Sequence, residues 1–132
     1  MMMKKVGDKN TKNFHYYNVN PMKKKTGDCV IRAIACALDV DWEVASDMLY
    51  KNAKQNYCEM SELQCYSKML NQLPFLKQVE TDCQFVDEFA RQNPKGTYLI
   101  RIEGHLTCLK DGICYDIWDC TNEGVDKIWS VL

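Results

Sequence analysis

Apolar residues are sparse up to Phe14 and afterwards recur with two different periods. Residues 1–13 are rich in lysine and asparagine and are expected to form a flexible polar tail, leaving 14–132 as one domain. Asn18 to Asp28 is loop chemistry, running through Asn20-Pro21 and three lysines to a helix-capping aspartate. From Cys29 to about Val40 the pattern predicts a helix apolar on most sides, in which Arg32 is the lone charge before Asp39. A second helix is predicted from an Asp41 cap, with Val44, Ala45, Met48 and Leu49 as its stripe. A third, roughly 60–72, carries Leu63, Tyr66, Leu70 and Leu73 and stops before Pro74. A fourth is expected from Thr81-Asp82, with Phe85, Val86, Phe89 and Ala90 at helical spacing up to Asn93-Pro94.

Past Gly96 the period falls to two. Tyr98, Ile100 and Ile102 alternate as in a strand, and Gly104 to Cys120 predicts a hairpin around Asp111-Gly112. Asp-Gly between apolar runs favours a type I′ turn, whose two central residues both need positive φ. A last strand is expected from Lys127 to Leu132. Helices first and strands afterwards define an α+β fold, with helices on one side of a C-terminal antiparallel sheet.

Composition narrows the functional classes. The 132 residues carry 17 basic and 18 acidic side chains, a net charge of −1, which argues against a nucleic-acid partner bound through phosphate neutralisation. The segment Met1 to Asp8 turns polar before an export signal could form, so a cytoplasmic chain without a membrane partner is expected. Eight cysteines lie at 29, 36, 58, 65, 83, 108, 114 and 120, with no C-x-x-C among them. That spacing speaks against structural zinc, and a reducing compartment leaves most of the thiols free to pack as small hydrophobes.

Cys29 stands apart from that background. It follows the capping Asp28 and so sits in the first turn of an apolar helix, where the helix dipole and unpaired N–H groups favour a thiolate. His105 leads a strand downstream, as a thiol–imidazole pair requires. A carboxylate should orient the imidazole, and the facing strand offers Asp116 and Asp119. A two-residue turn pairs Lys110 with Ile113 and brings Asp116 diagonally beside His105, whereas a three-residue turn brings Asp119 there instead.

Cys at a helix start, then His, then Asp on successive strands resembles the papain-like cysteine peptidases. Asp116-Ile117-Trp118 is similar to that family's Asn-Ser-Trp, with Trp118 in the place of the indole that shields the His–Asn bond. Gly27-Asp28-Cys29 resembles the Asp-Cys of double-glycine leader peptidases, and the stretch from Asn20-Pro21 to Asp119 is similar to small bacterial and phage proteins of this fold. The resemblance implies hydrolysis of a peptide or protein substrate by Cys29, His105 and Asp116, with no metal or organic cofactor. Transglutaminase- or deamidase-type acyl transfer, or a non-catalytic binding role, are the alternatives; the oligomeric state is left open. One departure is the oxyanion-binding Gln six residues before the cysteine, which is Lys23 here; Asn18, Asn20 or Thr26 could supply that donor.

Overall fold

Helices predominate from Cys29 to Gln92 and paired strands after it, as the change of period implies. The computed structural model describes residues 9–24 and 27–132. In chain order they form β1 (Phe14–Tyr16), α1 (Cys29–Leu38), α2 (Trp42–Asn56), α3 (Leu63–Gln72), β2 (Leu76–Val79), α4 (Val86–Gln92), β3 (Thr97–Ile102), β4 (His105–Lys110), β5 (Ile113–Asp116) and β6 (Lys127–Val131). The architecture is α+β. No helix among the described residues is long and apolar enough to cross a membrane.

The six strands make one sheet in the order β1-β5-β4-β3-β6-β2. The sheet is mixed, which corrects the expected antiparallel arrangement: β1 runs parallel to β5, pairing Phe14 with Cys114 and Tyr16 with Asp116. The two strands absent from the sequence reading, β1 and β2, are both short and both at sheet edges, where a three- or four-residue pattern carries little period.

Helices cover both faces of the sheet rather than one. On one face α1, α2 and α3 pack over Leu99, Leu106, Cys108 and Trp129. On the other, Val86, Phe89 and Ala90 of α4 pack with Phe14, Ile100, Ile102, Leu109 and Ile128. The reason lies in β3 and β4, where neighbouring positions such as Leu99 and Ile100, or Cys108 and Leu109, are apolar in both parities. A strand apolar on both sides requires cover on both. α1 is the central helix: Val30 to Ala37 are all buried, and its alanines let it lie close against β4.

Helix ends depart from the sequence expectation in two places. Neither Asp28 nor Asp41 caps its helix with its side chain. α4 starts at Val86, not at Thr81-Asp82, because Glu88 reaches back to accept hydrogen bonds from the backbone N–H groups of Gln84 and Phe85. Phe85 is consequently exposed rather than part of the core stripe, and Val44 of α2 is exposed too.

Candidate active site

The first turn of α1 holds Cys29, half-buried, beneath a polar network built on Asp28. The Asp28 carboxylate is buried and binds the guanidinium of Arg32 one turn along the helix. It also accepts from Asn20 Nδ2 at 2.8 Å and from the indole N–H of Trp42 at 2.9 Å. A buried arginine needs a counter-charge more than the helix needs a cap, which explains why Asp28 turns away from the capping position. The sequence spacing, aspartate and arginine at i and i+4, contained this pair in plain view.

The β4–β5 hairpin supplies the other two groups. Asp111 and Gly112 have φ of 49° and 79°, as a type I′ turn demands, and Lys110 pairs with Ile113. That register carries Cys108 to Tyr115 and, one step on, Thr107 to Asp116. His105 Nε2 then lies 2.7 Å from Asp116 Oδ2. Asp119, the alternative under a longer turn, is instead bound to the backbone N–H and hydroxyl of Thr121.

Asp116 is buried and heavily supported. The Thr107 hydroxyl donates to its Oδ2 at 2.6 Å, the Ile117 N–H donates to its Oδ1 at 2.7 Å, and Arg32 Nη2 stands 3.8 Å from Oδ1. Trp118 covers the imidazole edge-on, ring centroids 5.1 Å apart. Arg32 thus sits between two carboxylates, Asp28 beside the cysteine and Asp116 behind the histidine.

These contacts set the charges of the pair. Burial alone would lower the His105 pKa, but the hydrogen bond and charge of Asp116, with smaller contributions from Cys120 and Cys29, raise it to about 11. Burial would likewise raise the Cys29 thiol; hydrogen bonds with the His105 side chain and the Leu106 backbone, and the charges of His105 and Arg32, outweigh it and bring the thiol below its ordinary value. The two shifts have opposite sign and a common origin. Both shifts act in favour of a thiolate–imidazolium pair.

Cys29 and His105 open into a cleft of about 380 Å³, walled by Ser61 to Gln64, Tyr66, Arg101, Gly104 and Leu106. Arg101, on β3, is ion-paired with Asp126, and its charge acts on the Tyr66 phenol. Neither Tyr66 nor Arg101 stood out in the sequence as a site residue, since only the tertiary fold brings α3 and β3 to one cleft. A disulfide joins Cys58 to Cys65 and so brackets the cleft wall; the other six cysteines are free.

Of the sequence-derived oxyanion donors, Asn18 and Asn20 have their amide groups committed to the Lys24 carbonyl and to Asp28. Lys23 bonds the Asn18 carbonyl, and Thr26 lies outside the described residues. Behind the histidine, the donor atoms of His105, Asp116 and Cys120 lie within 4.8 Å of one another, close enough to suggest a metal site. In the absence of a metal, hydrogen bonding with Cys114 and burial push the Cys120 thiol far above its ordinary pKa. No protein-family model, curated protein or solved structure matches the chain.

Proposed function

We propose that this protein is a small papain-like cysteine peptidase, or a close variant that transfers an acyl group from an amide. The observation that carries the reading is the imidazole of His105, which is held by Asp116 through Nε2 and lines one open cleft together with Cys29, whose thiol pKa it lowers. A packed binding scaffold has no need of an accessible thiol or of a carboxylate aligned behind a histidine.

In this reading the Cys29 thiolate attacks the carbonyl carbon of a peptide or protein substrate, and the carbonyl electrons move to oxygen. The tetrahedral adduct collapses as Nδ1 of His105 gives its proton to the departing amine, leaving a thioester on Cys29. His105, now neutral, takes a proton from water as the water attacks, and the acid leaves with the thiolate restored. An amine in place of water gives transamidation by the same steps. Asp116 holds the imidazole in one tautomer and stabilises its charged form.

The test is two-part. At mildly acidic pH iodoacetamide should label Cys29 well before the other free cysteines, with the preference abolished in His105→Ala, and p-nitrophenyl acetate should give a burst of nitrophenolate equal to one acyl group per chain. Even labelling across several cysteines together with the absence of a burst overturns the reading.

A further inference from the structure

The tetrahedral adduct invoked above needs a hydrogen-bond donor for its oxyanion besides the peptide N–H of Cys29, and the amide side chains nearest in sequence are committed to the loop. Tyr66 meets the requirement from the opposite wall. Its ring is fixed on α3, edge-on to Trp129 with centroids 6.4 Å apart, and Trp129 is itself tied to Asn71 by a 2.8 Å hydrogen bond. The residue is only 2% exposed, yet it lines the same cleft as Cys29 and His105.

The chemistry of its partner decides what the phenol can do. Arg101 lines the cleft with Tyr66 and acts on its phenol, and a guanidinium has only donors, so toward Arg101 the phenol oxygen can only accept. The single O–H of Tyr66 is then left to donate elsewhere. Arg101 cannot rotate away freely, because its guanidinium is paired with Asp126, whose own N–H donates to the Arg101 carbonyl at 2.8 Å. Cys29 and Asp126 are the negative groups that act on Tyr66, and of the two Cys29 lines the cleft with it. Burial raises the phenol pKa, which keeps the proton on oxygen through the neutral range.

We infer that Tyr66 is the side-chain donor of the oxyanion hole, with the Cys29 backbone N–H as its companion and Arg101 as the positioning residue that orients and polarises the phenol. The assignment rests on the acyl-transfer reading and extends it to a residue on a helix outside the triad. A neutral O–H on the wall of the cleft that holds Cys29 stabilises a carbonyl oxygen as it becomes negative, and does so without titrating itself.

Two reactions of the full-length protein separate this role from a structural one. Alkylation by iodoacetamide displaces iodide at a saturated carbon and creates no oxyanion, whereas acylation by p-nitrophenyl acetate passes through one. Tyr66→Phe should leave Cys29 alkylation within about threefold of the unaltered chain while acylation falls by roughly 10²-fold or more. Arg101→Met should lower the same acylation-to-alkylation ratio by a smaller factor. An unchanged ratio in Tyr66→Phe, or loss of the ratio in Gln64→Ala instead, overturns the Tyr66 assignment while leaving the triad reading in place. A parallel fall of both rates in Tyr66→Phe also overturns it, since that marks damage to the thiol rather than to the hole. Absence of acylation in the unaltered chain overturns both proposals together.

Discussion

Asp116 Oδ2 lies 2.7 Å from His105 Nε2 and 2.6 Å from the Thr107 hydroxyl, so one carboxylate oxygen serves two partners on the neighbouring strand. The other oxygen faces the Ile117 N–H and Arg32. A carboxylate held from both sides resists rotation, and the imidazole inherits that rigidity.

Asp116→Asn should keep the fold but reduce Cys29 acylation by roughly 10²–10⁴-fold, because an amide can bond the ring yet no longer stabilises its charge or selects its tautomer. Asp119→Asn should change acylation by less than about threefold, since Asp116 and not Asp119 is bonded to the imidazole, while Asp119 Oδ1 accepts from Thr121. Pre-steady-state bursts with the activated ester measure both variants.

Stability should depend on His105 with a definite sign. The folded-state pKa, about 11, is above the ordinary value, so the folded protein holds this proton more tightly than the unfolded chain. The resulting stabilisation is full below about pH 6.5 and is lost progressively as pH rises through about 11. The difference in urea midpoint between the unaltered chain and His105→Ala should therefore narrow between pH 7 and pH 11. A gap that widens over that range contradicts the assignment.

The turn offers a structural check. Gly112 has φ +79°, and a Cβ added there would meet the Ala90 carbonyl oxygen at 3.5 Å. Space is adequate, so the cost of Gly112→Ala is conformational, about 1–2 kcal/mol for a left-handed residue. Asp111→Ala removes in addition the 2.9 Å hydrogen bond that its carboxylate accepts from Gly96 N–H. Urea unfolding of each variant reads the loss directly.

The Cys58–Cys65 disulfide should matter to the cleft as much as to stability. It closes a loop of which Ser61, Glu62, Leu63 and Gln64 face Cys29. Reduction with dithiothreitol should cost about 2–3 kcal/mol by loop-closure entropy. It should also raise KM for peptide substrates more than it lowers kcat, because the wall is released while the triad is not. Cys58→Ser should reproduce both effects without a reductant.

How far the sequence could be read differs sharply from place to place. Asp111-Gly112 determined the hairpin register, and with it the pairing of His105 to Asp116 rather than Asp119, because turn type and cross-strand partner are linked by local geometry. Cys29 at the start of α1 followed from the apolar run behind Asp28. Arg32 was visible as a lone charge, but its two carboxylate partners come from different parts of the chain, and only one of them lies a helical turn away. Tyr66 and Arg101 carried no local signal of a site: α3 has an ordinary amphipathic face, and the cleft it shares with β3 is made by the tertiary fold. The parallel pairing of β1 was equally hidden, since three residues at a sheet edge leave no periodic trace.

The triad is joined from parts of very different sequence distance. His105 and Asp116 are 11 residues apart on one hairpin, a structure that closes locally, on the order of microseconds. Cys29 reaches them only when α1 settles on β4, a contact between remote segments that ranks among the slower events of folding. On the acyl-transfer reading the nucleophile therefore joins its base only once α1 has packed on β4, so an activated thiol reports completion of the helical layer.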